Sequence, residues 1–181
     1  MDMYCHGHLF LSRAISSFFT HNTSSPLKLK IMAKKLEIEV EVSSPADKFW
    51  ESIRDSTDLF PKIFPQQYQS IQVIEGDGKS VGSIRALHYA EGIPFVKFAK
   101  EKIEVDDDAN KLVSYSVIEG DILNYYTSFR PTLQVLSKGD GAVVKWNVEY
   151  VKLNEEVPDP ELIQAMATQT FKELDAYLLK N

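Results

Sequence analysis

The chain alternates from its first folded stretch. Lys35 to Val42 reads KLEIEVEV, with Leu36, Ile38, Val40 and Val42 on one side and Lys35, Glu37, Glu39 and Glu41 on the other. A period of two with one apolar row predicts a strand with one wet face. Ser44-Pro45-Ala46-Asp47 follows, and a capping hydroxyl, a proline at the first helical position and an acid behind them predict a helix. Phe49, Trp50 and Ile53 form its apolar stripe. The stretch LFPKIFPQQY, with Pro61 and Pro65, predicts a short second helical piece or turn.

Six further strands are predicted over Tyr68 to Glu75, Val81 to Tyr89, Phe95 to Val105, Lys111 to Glu119, Tyr125 to Leu136 and Ala142 to Leu153. Short Gly- and Asp-rich connections separate them, so an antiparallel meander is expected. No segment of crossover length lies between the strands to make them parallel. After Pro158 the period changes. Asp159 is expected to cap a helix with Pro160 in its first turn, and Leu162, Ile163, Met166, Thr170, Phe171, Leu174, Tyr177 and Leu178 recur at helical spacing. The arrangement predicted is α+β, a curved antiparallel sheet gripping a long C-terminal helix of about twenty residues.

Charge narrows the partners. The chain has 181 residues and a formal net charge of −6. Setting aside residues 1–32 removes Arg13, Lys28, Lys30 and Asp2 and leaves a net of −8. Such a surface does not gather phosphates, which disfavours nucleic acid and anionic membranes as partners. No run of about eighteen apolar residues is present, so no membrane span is expected. Cys5 is the only cysteine; residues 33–181 have none and need no oxidising compartment, which makes the cytosol the default. Residues 1–32 are Ser-rich and poor in acids, and are expected to be a targeting segment or an upstream start ahead of Met32, outside the folded domain.

EGDGKSVGS, Glu75 to Ser83, contains the Gly-Lys-Ser of a phosphate-binding loop. Such a loop needs a glycine where Val73 stands and a helix directly behind it. Ser83 to Leu87 continues instead as a strand, so Gly76, Gly78 and Gly82 are expected to serve a hairpin turn. Exposed amides there are at most a place for a stray anion.

The order of elements, with DLFPKIFPQ (58–66), IEGDGKSVGSI (74–84), EGIPFVKFAKEKI (91–103) and YSVIEGD (115–121), resembles the plant superfamily of the birch pollen allergen, most closely its major latex protein branch. The resemblance covers residues 33–181. It implies the helix-grip fold, seven strands around the terminal helix, with an internal cavity for apolar small molecules, and a link to defence and stress responses.

The inward rows locate where a guest would sit. Val144, Trp146, Val148 and Tyr150 share the face of the last strand turned to the helix. Val113, Tyr115 and Val117 face inward on strand five, as do Arg85, Leu87 and Tyr89 on strand three. The helix offers Ile163, Met166, Ala167 and Thr170. Phe60, Phe98 and Leu133 complete the expected wall. Hydroxyls and a charge turned inward must find partners or cost about 1–3 kcal/mol each, and a cavity holding water or a guest resolves this. Glu101 shares a face with Ala99, Ile103 and Val105; it is read either as a general acid or base, or as turned aside by a bulge or ion-paired with inward Arg85 or a neighbouring lysine.

The resemblance also carries enzymes and receptors. Norcoclaurine synthases in the superfamily use a strand lysine with a carboxylate and a tyrosine. The carboxylate position falls at Glu101, but the lysine position is Val113. Hormone receptors of the same fold close a gate loop and inhibit a phosphatase; here the equivalent is Glu91-Gly92-Ile93-Pro94-Phe95, with only its Gly and Pro kept. His88 is the one histidine of residues 33–181, and no metal or cofactor is implied. The expectation is a non-enzymatic carrier, monomeric or weakly dimeric. An enzyme or a hormone-gated phosphatase regulator using the same cavity is the alternative.

Overall fold

The structure, a computed structural model, describes residues 33–181. The expectations for residues 1–32 lie outside the described residues. Seven strands, β1 (Lys34–Val42), β2 (Tyr68–Glu75), β3 (Ile84–Tyr89), β4 (Phe98–Asp107), β5 (Leu112–Gly120), β6 (Tyr126–Lys138) and β7 (Gly141–Lys152), form one antiparallel sheet in the order β1-β7-β6-β5-β4-β3-β2. Helices α1 (Ala46–Arg54) and α2 (Ser56–Ile63) follow β1, and α3 (Glu161–Leu178) closes the chain. This is the expected helix-grip arrangement.

The two halves of α3 differ in what they meet. Phe171, Leu174 and Leu178 are buried, and the Phe171 ring stands edge-on to Phe49 of α1 with centroids 6.4 Å apart. Ile163, Met166 and Ala167, on the inward face of the first half, are only half-buried. The apolar stripe is continuous along the helix, so the second half is seated in core while the first half spans space.

Several local expectations change. Ser44 does not cap α1: its hydroxyl and N–H both bond to the carboxylate of Asp175 on α3, and Pro45 occupies the capping position. Asp159 does not cap α3 either; its side chain accepts from Tyr150, Lys152 and Lys34. In both places a tertiary partner outcompetes the local amides. β3 begins at Ile84, because Ser80, Val81 and Gly82 form a turn that leaves Val81 62% exposed. β4 begins at Phe98, after a loop in which Phe95 adopts a positive φ of 69°. A bulge between Ile103 and Val105 turns Val105 out to solvent instead of inward with Glu101.

The sheet is joined unevenly. β6 pairs with β7 along its length and β5 with β4, but β5 and β6 pair only at Leu112↔Gln134, Val113↔Leu133 and Ser114↔Thr132. The parting starts at Pro131, which has no N–H to give. Val135, four residues on and of the same parity, does donate across to Lys111. The Ser114 hydroxyl bonds the Pro131 carbonyl at 3.2 Å and accepts from Thr132 at 3.0 Å, so side chains close the ladder where backbone cannot.

Candidate functional site

Between the sheet and the first half of α3 lies a cavity of about 410 Å³. That is within the range of small-molecule sites, roughly 300–1,000 Å³. The inward rows of β3, β4 and β5 and the parted stretch of β6 make its wall, and α3 covers it. Of the residues expected from the sequence, Phe60, Arg85, Leu87, Tyr89, Glu101, Val113, Tyr115, Leu133, Trp146, Ile163, Met166, Ala167 and Thr170 line it.

Four expected residues do not. Phe98 has the opposite parity from the inward Ala99 and Glu101; its ring lies 5.1 Å from His88 and 5.9 Å from the Lys100 ammonium. Val144 and Val148 face inward but are wholly buried in packed core. Tyr150 is also inward and buried, yet its hydroxyl is satisfied by Asp159 at 2.7 Å, so it needs no cavity. Of the loop glycines, Gly78 reaches the cavity wall and Gly76 and Gly82 do not.

The glycine loop is a turn closed on itself. Gly76, Gly78 and Gly82 all have positive φ, which side chains rarely adopt. The Asp77 carboxylate accepts from the N–H groups of Lys79 at 2.8 Å and Ser80 at 2.7 Å, and from the hydroxyls of Ser80 and Ser83. Those bonds hold its carboxyl far below the usual range. The amides that a phosphate would need are engaged by the loop's own anion, which also leaves them closed to a stray one.

Inside the cavity one ion pair stands out. Arg85 and Glu101 are direct cross-strand partners, and Arg85 Nη2 donates to Glu101 Oε2 at 3.0 Å, with side-chain exposures of 12% and 8%. Burial raises the Glu101 carboxyl above its ordinary range, and Arg85 pulls it back down in part. Arg85 Nη1 donates to Ser56 at 3.3 Å, and its guanidinium lies over the Tyr115 ring at 5.8 Å. Burial, with the charge of Glu101 beside them, pushes the Tyr68, Tyr89 and Tyr115 hydroxyls upward, so they remain protonated donors. Thr170 is satisfied within the protein, donating to Gln67 at 2.7 Å.

Val117, on the inward row of strand five, also lines the wall; Tyr68 is a wall residue the sequence reading left out, as are Ile122, Phe129 and Pro131. Phe129 and Pro131 were within reach, since they continue the Leu133 row backwards by twos. Tyr68 sits where a bulge between Tyr68 and Ser70 breaks the alternation, so no periodic signal marks it. The loop residues Ile93, Pro94, Phe95 and Val96 also line the cavity, and with Leu162 of α3 they form its mouth; Phe95 is 61% exposed and Leu162 57%.

A curved antiparallel sheet closed over an apolar, partly polar hollow by a terminal helix defines a cavity-bearing helix-grip protein. Residues 31–181 match the Pathogenesis-related protein Bet v 1 family, so the chain belongs to that family, in its major latex protein branch. It is 49% identical over 145 residues to MLP-like protein 423 of Arabidopsis thaliana, which covers 80% of this chain and 94% of that protein. Among solved structures, ginseng major latex-like protein 151 from Panax ginseng superposes with a TM-score of 0.75 at 28% identity, covering 81% of this chain and 98% of that one. Truncated norcoclaurine synthase from Thalictrum flavum superposes with a TM-score of 0.66 at 26% identity, covering 83% and 96%. Among the described residues no helix is long and apolar enough to cross a membrane.

Proposed function

We propose that residues 33–181 act as a single non-enzymatic carrier domain for hydrophobic small molecules such as plant hormones, lipids or secondary metabolites. The observation that carries this reading is the half-buried first half of α3 standing over an apolar hollow of about 410 Å³. Packed protein interiors leave few voids larger than a water molecule, so a hollow of that size is space kept for a guest. Membership of a family described as pathogenesis-related supports a role in defence and stress response, and we place the protein in the cytosol as a monomer or weak dimer.

The enzyme alternative draws on the fold shared with norcoclaurine synthase and on the buried Glu101. Against it stands Val113 on the wall at the position where that chemistry places its lysine, so no desolvated amine is present there. Glu101 is paired with Arg85 as well, so the buried acid of the hollow is not a free one.

Titration of the full chain with an apolar fluorescent probe is expected to show saturable binding near one-to-one. Met166→Trp and Ala167→Trp, which fill the hollow from α3, are expected to weaken it at least several-fold. Unchanged titrations in both variants would sink the site. Recovering the protein from plant extract and comparing its bound molecule before and after incubation by mass spectrometry separates carrier from enzyme: a carrier releases it unaltered.

A further inference from the structure

The polar groups inside the cavity narrow the class of guest, on the footing of the carrier reading above. A guanidinium offers five N–H donors in a planar fork, and a well-matched carboxylate takes two of them in parallel. Glu101 takes only one from Arg85, through Oε2, and Ser56 takes another. The buried Nε of Arg85 has no hydrogen-bond partner among the described residues. Tyr68, Tyr89 and Tyr115, whose hydroxyls feel the charges of the same pair, line the same space. The cavity therefore holds an excess of donors around one half-used cation, and an excess of donors selects a guest with an acceptor at its end.

We propose that this guest is an apolar molecule ending in a carboxyl group, seated with its carboxylate on Arg85 and the tyrosine hydroxyls, and that Glu101 takes up one proton from water as it binds. Two carboxylates beside a single guanidinium in a dry site cannot both stay ionised, and their titration becomes that of a coupled pair. Glu101 is the member that yields, because burial already works against its charge while the guest's carboxylate brings new bonds to Arg85. The ionisable groups facing Glu101 are Arg85 and Tyr89 from β3, Tyr68 from β2 and Tyr115 from β5. The remaining charged groups on the wall have partners elsewhere or face solvent: Arg54 pairs with Asp106 and Asp108, Lys79 with Asp55 and Asp159 with Lys152, while Glu161 is exposed. Arg54 shares with Arg85 a buried Nε without a partner among the described residues, but two carboxylates, Asp106 and Asp108, already balance its charge, whereas Arg85 has Glu101 alone.

The test compares dodecanoate with methyl dodecanoate, which keeps the chain and removes the charge, by calorimetry of the full-length protein in two buffers of unlike ionisation enthalpy. Dodecanoate is expected to bind more tightly than the ester, with uptake approaching one proton per molecule; the ester is expected to take up none. Where uptake is seen, dodecanoate affinity is expected to fall by about tenfold per pH unit as pH rises. Glu101→Gln is expected to abolish both uptake and pH dependence. If that variant fails to fold, the wild-type pH series and the ester still decide. Binding of dodecanoate without proton uptake, or no tighter than the ester, overturns the proposal and leaves the carrier reading standing. Failure of acid, ester and apolar probe alike overturns both.

Discussion

The carboxylate of Asp175, in the last turn of α3, accepts the Ser44 N–H at 2.8 Å and the Ser44 hydroxyl at 2.5 Å, and also the Ser43 N–H at 3.1 Å. One side chain thus ties the end of the terminal helix to the turn between β1 and α1, and Ser44 is fully buried there. Lys48 of α1 reinforces the joint by donating to the Leu178 carbonyl at 2.7 Å. Asp175→Ala leaves buried donors unpaired and is expected to cost about 2–4 kcal/mol, whereas Ser44→Ala keeps the N–H bonds and is expected to cost about 1 kcal/mol. Urea unfolding of the two variants checks the order; equal losses would refute the joint as described.

Asp159 gives a dependence on acid. Its carboxyl is held down to about 2 by bonds from Lys152 and Tyr150 and, less strongly, from Lys34. A depressed folded-state value means that its contribution is present above the ordinary value of 3.8 and disappears as pH falls toward 2. The urea midpoints of wild type and Asp159→Asn are expected to differ at about pH 5 and to converge on acidification. A gap that stays constant over that range counts against the assignment.

Phe95 stands at the mouth with φ at 69°, a conformation that side chains pay for with about 1–2 kcal/mol and glycine does not. Its replacement separates ring from backbone. Phe95→Gly is expected to be more stable than Phe95→Ala by about 1 kcal/mol, since only glycine relieves the strain. Thermal melts of the pair decide, and alanine equal to or above glycine would contradict the backbone geometry.

The seam between β5 and β6 predicts uneven protection. Among the described residues, neither the edge of β5 that faces away from β4 beyond Ser114 nor the facing edge of β6 before Thr132 has a strand partner. Amides on those edges within Tyr115–Gly120 and Tyr126–Arg130 are expected to exchange with solvent faster than those that pair β6 with β7. Residue-resolved hydrogen exchange measures this directly. Uniform slow exchange across both stretches would show that the seam is closed in solution.

Much of this was legible along the chain. Strict alternation in β1 and β7 and the helical period after Pro158 determined the strands, the terminal helix and the inward rows, because side-chain direction follows backbone period alone. Val113 and Glu101 were placed on the wall the same way. Tyr68 was not, since a bulge beside it erases the period.

What only the tertiary structure decided is what each inward side chain meets. Trp146 opens on the hollow while Val144 and Val148, two residues either side on the same row, are sealed in core. Ser44 and Asp159 have the composition of caps yet spend their polar atoms on Asp175 and on Tyr150 with Lys152. Periodicity names a face, but the distance from that face to the opposite wall depends on sheet curvature and on where α3 is anchored. Those are set by contacts between residues far apart in the chain, which no local pattern records.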